Sequence, residues 1–321
     1  MVGVRSAGGK AEFRHEALIY QGRRGFLEGS APFIRRGLGA GEPVLVVVAG
    51  HKIEWLREEL GDEAEDVFFE DMADAGANPG RLINRWRQFA RSHADAPGLR
   101  GIGEPASPDR SAEALDECSR HEALLNLAFE ADRHLRLLCP YDAAVLSPAV
   151  VAEAHRTHPV VVENGGAHPS DVYANAAGTL DGALPDAPGD AIELEFGAGD
   201  LRAIRMFAED HGRAHELSVT DLENLVFAAG ELAANSVQHG GGHGTIAVWG
   251  GVGSAVLEVR DEGVIRDPLV GRLKPRADGC RGRGLWLVEQ LCDLVQIRSG
   301  PEGTVVRAHT GANGPRACAP S

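Results

Sequence analysis

Two polar side chains on one predicted helix have the types and spacing needed for phosphoryl chemistry. Apolar residues recur with helical period through residues 220–239, and Glu231 and Asn235 stand four residues apart there, so both point from one face. A carboxylate can take a proton from an attacking hydroxyl, and an amide oxygen suits Mg²⁺, which prefers oxygen ligands. Such a pair more often consists of solvated or capping groups, so alone it specifies little.

An acidic turn follows at the end of a predicted strand. Residues 255–260 alternate as in a half-buried strand, and Asp261-Glu-Gly263 ends the run. A buried Asp261 could accept a hydrogen bond from an adenine amino group. The alternative is a plain turn, which is the commoner use of Asp-x-Gly after a strand.

A second glycine turn opens another helix. Gly282-Arg283-Gly284 precedes a helical pattern that runs from Leu285 to Cys292, and the free amides and positive dipole end of such a helix suit phosphate oxygens. Arg283 is a further candidate for a phosphate contact. A Gly-x-Gly turn before a helix is by itself common. The joint order of the three pieces, each in the local structure that its chemistry needs, predicts an ATP site.

Residues 192–310 resemble a GHKL-type (Bergerat) ATPase domain, the family that includes histidine kinases, gyrase-like ATPases and anti-sigma serine kinases. The resemblance lies in residues 231–239 as the N box, residues 261–263 as the first glycine box and residues 282–288 as the second. It implies an α/β sandwich that binds ATP and Mg²⁺.

The same resemblance implies a role for each matching residue. Glu231 would be the general base, Asn235 the Mg²⁺ ligand and Asp261 the adenine reader. Gly263 would lie beside the base, and Gly282 and Gly284, with Leu285 opening the helix, would lie at the phosphates. Many relatives have a second glycine where this chain has Ile265, which implies a stiffer or differently shaped entry to the lid.

The segment before this domain helps to choose a branch of the family. A sensor histidine kinase needs a dimerisation helix pair that carries a phosphoacceptor histidine, whereas residues 177–191 are rich in Gly, Pro, Ala and Asp and predict a linker. The compact domain and its Gly-Arg-Gly-Leu-Trp-Leu-Val sequence resemble the anti-sigma factor (RsbW-like) serine kinases of actinobacteria.

The branch implies a cytoplasmic regulator of transcription. Such a protein binds a sigma factor or phosphorylates a serine on a STAS-domain anti-anti-sigma partner, and homodimerisation is expected from the resemblance. Two alternatives stay open: a non-catalytic, ATP-dependent switch that sequesters a sigma factor or its antagonist, and an atypical sensor histidine kinase.

Residues 264–281, between the two glycine turns, predict a lid. A mobile basic lid could close over a triphosphate and neutralise its charge. The alternative is a solvated loop. The basic residues in this segment are Arg266, Arg272, Lys274, Arg276 and Arg281.

Residues 12–176 alternate strand and helix signals, which predicts a wound, mainly parallel α/β sheet of RecA-like order. A glycine-rich turn is predicted at residues 21–30, where a phosphate loop would lie, with a helix only from Ala31 to Leu38. No Gly-x-x-x-x-Gly-Lys-Ser/Thr sequence occurs in the chain, so this domain is predicted not to hydrolyse nucleotide.

This region resembles the MEDS sensory domain, a family associated with methanogens, methylotrophs and the DcmR regulator. The resemblance implies a sensor of an unidentified small molecule and places His15, Glu104 and His121 near strand ends, where ligand pockets of α/β domains form. A satisfied core histidine or a helix-surface acid is the alternative for each. The segments that carry the resemblance to the MEDS domain are residues 15–20, 33–42, 103–104, 121–126 and 139–142.

A metal site at the histidines of the N-terminal region is not favoured by the sequence. His155-x-x-His158 lacks the i,i+4 spacing of helical metal ligands, and Pro159 would end any helix there. The five cysteines form no CxxC pair, which fits a reducing compartment.

Composition and charge limit the classes of partner that the chain could bind. The net charge of −15 disfavours direct binding to nucleic acid or to an anionic membrane, since both are polyanions. The apolar run at residues 44–49 is too short to span a bilayer. Residues 311–321 are small and polar and predict a disordered tail.

Overall fold

The structure is a computed structural model that describes residues 13–131, 134–174, 180, 182–275 and 282–311. Contacts divide the chain into a first unit, residues 1–76 with 85–180, and a second unit, residues 77–84 with 181–321. The predicted tail beyond residue 311 and parts of the predicted linker lie outside the described residues. Within the described ranges, no helix is both long and apolar enough to cross a bilayer.

The first unit is built on a mainly parallel sheet. Its strands lie in the order β3-β2-β4-β5-β1-β6-β7, and every neighbouring pair is parallel except β6 with β7. β2 is buried at all its residues, as expected of a strand covered on both faces. The predicted wound sheet is confirmed. The strands are β1 (Arg14–Tyr20), β2 (Val44–Val48), β3 (Val67–Asp71), β4 (Leu99–Gly103), β5 (Leu135–Asp142), β6 (Val160–Glu163) and β7 (Gly166–Pro169).

Helices alternate with these strands along the chain. Ser111 and Ser147 cap two of them, because their side-chain oxygens accept hydrogen bonds from the backbone N–H groups of Ala114 and Val150. The helices are α1 (Gly22–Gly39), α2 (Gly50–Leu60), α3 (Met72–Ala75), α4 (Gly80–Ser92), α5 (Ala112–Phe129) and α6 (Pro148–Thr157), with a 3₁₀ helix at Gly61–Asp66.

The predicted glycine-rich turn at residues 21–30 is wrong, because this segment is the first half of α1. A Cβ atom at Gly29 would lie 2.5 Å from the side chain of Leu18, and one at Gly25 would lie 3.4 Å from Cβ of Tyr20. The glycines therefore allow the helix to lie close against β1. Their low helix propensity is outweighed by this packing, and they do not form a phosphate loop.

The second unit is an antiparallel sheet with helices on one face. The strands lie in the order β11-β12-β10-β9-β8. This architecture confirms the α/β sandwich. Its elements are β8 (Ile192–Gly197), α7 (Leu201–Ala214), α8 (Val219–His239), β9 (His243–Gly251), β10 (Ser254–Asp261), α9 (Arg283–Leu291), β11 (Leu294–Gly300) and β12 (Gly303–Thr310).

One buried cluster joins sheet and helices in the second unit. β10 alternates so that Leu257 and Val259 face α8, which contributes Leu225 and Leu232, and α9 adds Val288. On the opposite face of the sheet, polar groups satisfy one another instead. Glu258, which is 1% exposed, accepts hydrogen bonds from Arg260 and Arg307, and Arg307 also donates to the carbonyl oxygen of Pro185.

Replacing Leu257 by alanine tests this core. Leu257 is fully buried, so Leu257→Ala should lower the free energy of unfolding by about 2–5 kcal/mol through lost burial and a residual cavity. Val252→Ala is the control, because Val252 is 82% exposed and its truncation should stay within about 0.5 kcal/mol. Denaturant unfolding of both variants, followed by circular dichroism, measures the difference; equal losses would contradict the assigned core.

Candidate nucleotide-binding site

A cavity of about 360 Å³ in the second unit brings together residues from all three predicted pieces. α8 forms one wall through Leu232, Asn235, Ser236 and His239. Its start is fixed by Ser218, whose side chain accepts a hydrogen bond from the N–H of Asp221. Asn235 therefore faces the cavity from the penultimate turn of a helix whose other face is locked into the core.

Glu231 lies one turn before Asn235 and is half-buried. It is not part of the cavity wall itself, but a side chain at Gly284 would collide with its carboxylate. Thus the glutamate of the first piece and a glycine of the third are neighbours, although 52 residues of chain lie between them. The absence of a side chain at Gly284 is what permits this approach.

Asp261 lines the cavity, and both of its carboxylate oxygens accept hydrogen bonds. Its Oδ2 accepts a hydrogen bond of 2.6 Å from the hydroxyl of Ser236, and its Oδ1 accepts one of 2.8 Å from the backbone N–H of Gly263. Gly240 packs directly on the carboxylate, where any side chain would overlap with it. A carboxylate offers about four acceptor positions, so the fixed group can accept a further bond from a ligand donor.

Gly263 makes a backbone approach that only glycine permits. A Cβ atom there would lie 2.6 Å from the carbonyl oxygen of His239 and 2.8 Å from Cα of Gly240. The carbonyl oxygen of Gly263 accepts a 2.7 Å hydrogen bond from the hydroxyl of Thr304. The turn is therefore clamped between the end of α8 and the neighbouring strand β12.

The first turn of α9 opens onto the same cavity. Gly282 is its N-cap residue with φ of 79°, and no side chain caps the helix. Gly282 and Leu285 line the cavity, and Arg283 is exposed beside them. Amides at a helix N-terminus form a ready site for an anion.

Apart from Thr304, the rest of the cavity wall is apolar. Such a lining with a few placed polar groups is typical of a small-molecule site. The apolar residues are Leu232, Val259, Val264, Ile265, Val270, Leu285 and Val306.

Arg272, in the described part of the predicted lid, neither faces the cavity nor lies in solvent, whereas the sequence predicts one or the other for a basic lid residue. Its side chain is 1% exposed, with Nη2 3.9 Å from Oε1 of Glu289, so it is neither solvated nor directed at a ligand in the cavity. Ile265 lines the cavity, and its backbone N–H donates to the hydroxyl of Ser299 at 2.7 Å. Arg276 and Arg281 lie outside the described residues.

In the first unit, the residues predicted to line a sensory pocket are buried in two separate groups. Glu104 accepts hydrogen bonds from Lys52 and from the hydroxyl of Tyr20 at 2.6–2.7 Å. Burial raises the pKa of Glu104, and the ammonium of Lys52 opposes that rise. This network lies at the carboxyl ends of β1, β2 and β4, and no sequence motif points to Lys52 as a member of it.

His15 belongs to the other group, where it contacts Glu122 and Cys139. His121 is 1% exposed on α5, next to Glu122 in sequence. None of His15, Glu104 and His121 lines the cavity of about 870 Å³ that opens beside α1.

The fold of the second unit is an α/β sandwich of the GHKL class. Residues 195–310 match the family model described as a histidine kinase-like ATPase domain. Residues 14–159 match the model described as MEDS, the methanogen/methylotroph, DcmR sensory domain. The chain therefore combines an N-terminal MEDS domain with a C-terminal histidine kinase-like ATPase domain.

Other comparisons add little. No curated protein matches the chain. A structure of the RsbU and RsbW domains of Rv1364c from Mycobacterium tuberculosis matches with 20% identity and a TM-score of 0.29, over 38% of this chain and 32% of that one. The chain thus spans under a third of the length of that protein, and the likeness carries no argument about function.

Removing the hydroxyl that holds Asp261 should destabilise the second unit. Ser236→Ala should cost about 1.5–3 kcal/mol of unfolding free energy, because the lost hydrogen bond joins a buried hydroxyl to a charged group. Gln238→Ala is the control, since Gln238 is exposed on the same helix and should change stability by less than about 0.5 kcal/mol. Denaturant unfolding measures the free energy of unfolding of both variants. Equal values would mean that the hydrogen bond from Ser236 to Asp261 does not contribute to stability.

Proposed function

We propose that this chain is a signal-controlled protein kinase of the anti-sigma type. In this proposal the ATPase domain binds Mg-ATP and transfers the γ-phosphoryl group to a serine of a STAS-domain anti-anti-sigma partner, and the MEDS domain controls the transfer. The observation that carries the proposal is the convergence of Asp261, Asn235 and the first turn of α9 on one cavity.

The adenine end of the site is argued from Asp261 and the apolar wall. The carboxylate is fixed by Ser236 and Gly263 but keeps acceptor capacity, which suits the amino group of adenine. Val259 and Val306 supply apolar contacts to the ring faces. The close packing of Gly240 and Gly263 leaves room for a flat base and no side chain in the turn.

The phosphate end is argued from Asn235 and α9. The amide oxygen of Asn235 is the kind of hard ligand that Mg²⁺ takes, and the uncapped N-terminus of α9 suits phosphate oxygens. These donors fit the ion, and Mg²⁺ bound there would neutralise charge on the phosphate oxygens. Arg283, exposed in the first turn of α9, would add a second positive charge on that side.

Glu231 is proposed as the general base. Its carboxylate lies beside Gly284, hence beside the helix terminus assigned to the phosphates. It would accept the proton of the partner serine hydroxyl while the serine oxygen bonds to the γ-phosphorus and the bond from that phosphorus to the β–γ bridging oxygen breaks. Glu231 would thus act on the partner's oxygen, and Asn235 would act on the donor.

The protein partner is argued from charge and chain organisation. With a net charge of −15 the chain suits a basic protein surface better than nucleic acid or membrane. The segment that precedes β8 has linker composition rather than the heptad pattern of a histidine-bearing helix pair, which favours phosphoryl transfer to a separate protein over transfer within the chain. We place this regulator in the cytoplasm, with homodimerisation as part of the same proposal.

A second candidate function, a non-catalytic ATP-dependent switch, is favoured by Ile265. This residue packs against the core and is tied through its backbone to Ser299, so the entry to the lid is stiffer than a glycine would make it. Such a protein would hold ATP and sequester a sigma factor or its antagonist without transferring phosphate.

Glu231→Gln separates the two candidates. It should lower the rate of phosphoryl transfer by about 10²–10⁴-fold, the usual contribution of a general base, while ATP binding stays within a few-fold. Intact-mass spectrometry of candidate STAS-domain partners after incubation with Mg-ATP measures the transfer. Glu223→Gln is the matched control, because it removes the same charge from an exposed position of α8.

Each outcome assigns one function. A phosphoryl group gained on a partner serine with the parent protein and the control, but not with Glu231→Gln, supports the kinase and the base. Equal transfer by Glu231→Gln contradicts the role of Glu231. ATP binding and a stable partner complex without transfer favour the switch, and acid-labile phosphate on the chain itself favours a histidine kinase.

Gly240→Ala should weaken ATP binding without removing any side chain that touches the ligand. The added methyl group would displace the Asp261 carboxylate, and losing one hydrogen bond to a charged group corresponds to about a ten- to hundredfold rise in Kd. Gly199→Ala is the control, because a Cβ atom there meets open space and the backbone of Gly199 is not left-handed. Calorimetric titration with ATP measures both; equal affinities would contradict the assignment of Asp261.

A further inference from the structure

Four potential metal ligands meet in the buried interior of the first unit. His15 on β1, Glu122 on α5, Cys139 on β5 and His158 after α6 are each at most 3% exposed. One ligand atom of each lies within 4.8 Å of the ligand atoms of the others. Phe13 stacks on His15 and Tyr141 packs edge-on against His158, so aromatic rings shield the group from water. Neither function proposed above uses this cluster.

In both histidines Nδ1, the ring nitrogen on the side away from the cluster, donates a hydrogen bond. Nδ1 of His158 lies 2.8 Å from the carbonyl oxygen of Ala154, an atom that can only accept, so the proton sits on Nδ1. Nδ1 of His15 lies 3.1 Å from Oδ1 of Asn126, and the amide orientation of Asn126 is set because its Nδ2 donates to the carbonyl oxygen of Thr157. In their neutral forms, both imidazoles therefore turn the lone pair of Nε2 toward the cluster.

The cluster consequently has more acceptors than protons. Nε2 of His15 lies 3.0 Å and Nε2 of His158 lies 3.6 Å from Oε2 of Glu122, so lone pairs face a carboxylate. The thiol of Cys139 and the hydroxyl of Tyr141, which hydrogen-bonds to Glu122, bring only two protons. Nε2 of His158 and Oε1 of Glu122 have no hydrogen-bond partner among the described residues. Buried acceptors left in this way are costly, and a cation at their centre would satisfy them together.

The separations fit a tetrahedral ion. With bonds of about 2.0–2.1 Å to nitrogen and oxygen and about 2.3 Å to sulfur, the edges of a tetrahedral zinc site are about 3.3–3.6 Å long. The three ligands around Oε2 of Glu122 stand 3.0, 3.4 and 3.6 Å from it, and Nε2 of His15 stands 3.3 Å from Sγ of Cys139. Only small shifts of side chains would be needed to close around an ion.

We propose that His15, Glu122, Cys139 and His158 form a binding site for a divalent transition metal of the zinc class. One thiolate, one carboxylate and two neutral imidazoles balance the charge of the ion, and this mixture of nitrogen, sulfur and oxygen suits zinc rather than Mg²⁺ or Ca²⁺. Binding releases the thiol proton of Cys139 to solvent. Four protein ligands leave no open position, so the site is structural and joins β1, α5, β5 and the end of α6.

Asn126 and Ala154 are positioning residues of this site. Their hydrogen bonds to Nδ1 of the two histidines fix which imidazole nitrogen faces the ion, as the second shell of a metal site usually does.

Metal analysis of the full-length chain tests the proposal. Protein purified without added chelator should carry one zinc ion per chain by elemental mass spectrometry, and X-ray absorption at the zinc edge should show one sulfur among nitrogen and oxygen neighbours. Chelation should lower the unfolding temperature. After replacement of zinc by Co²⁺, a thiolate-to-cobalt charge-transfer band should appear in the near ultraviolet.

Cys139→Ser should abolish that band, whereas Cys118→Ser should keep it. Cys118 is the matched control because it is equally buried on α5 but donates to the carbonyl oxygen of Pro105 instead of joining the cluster. Absence of metal from the purified protein together with no uptake of Zn²⁺ or Co²⁺ would overturn the site. A band that survives in Cys139→Ser, or a zinc edge without sulfur in the parent protein, would also overturn it. X-ray absorption at the zinc edge is measured on the parent protein, so it tests the site even if Cys139→Ser does not fold.

Discussion

The carboxylate of Asp261 is the interaction on which the ATPase domain's site depends. It accepts a hydrogen bond from Ser236 on α8 and another from Gly263 in the following turn, and Gly240 at the end of α8 packs against it. One side chain thereby ties the end of a strand, the end of a helix and a turn to one another. Because both oxygens are held, the acceptor positions that face the cavity are fixed before any ligand arrives. A group held in this way loses little entropy on binding.

Glycine serves two purposes in this chain, and local sequence does not separate them. In the ATPase domain, Gly240 leaves room for the carboxylate of Asp261, and Gly263 lets its turn approach the backbone at the end of α8, both beside the cavity. In the MEDS domain, Gly25 and Gly29 let α1 lie close to Tyr20 and Leu18 of β1, with no ligand involved. The sequence predicts a turn at the second pair, because glycine disfavours helices and the pair follows a strand, as a phosphate loop does. Only the tertiary contact with Leu18 tells the two uses apart.

Much of the architecture follows from periodicity. The helical period through residues 220–239 predicts α8, and the alternation that ends at Asp261 predicts β10; both elements occur at these positions. The alternation of strands and helices likewise predicts the parallel sheet, since each buried strand needs cover on both faces. In the site, order along the chain predicted that Asn235, Asp261 and Gly282 would share one cavity, and they line the same one. The burial of Arg272 could not be predicted, because its partner Glu289 follows the glycine turn on another element.

The buried cluster of the MEDS domain shows where sequence spacing fails. The spacing of His155 and His158 does not suit helical metal ligands, so the sequence predicts no metal at this pair. His158 has a different set of neighbours: His15 from the first strand, Glu122 from a helix and Cys139 from the fifth strand. The parallel pairing of β1 with β5 places His15 and Cys139 two register positions apart, and no local pattern encodes that pairing.

The two sites also differ in how their polar atoms are satisfied. Around Asp261 each oxygen already has a protein donor, so the ATPase site is stable without a ligand and can remain open. Around Glu122, Nε2 of His158 and Oε1 of Glu122 have no hydrogen-bond partner among the described residues, and the proposed cation would satisfy both. An open site suits a ligand that is exchanged, and a closed one suits an ion that stays. This contrast is the physical reason for assigning an exchangeable nucleotide to the C-terminal domain and a resident ion to the N-terminal one.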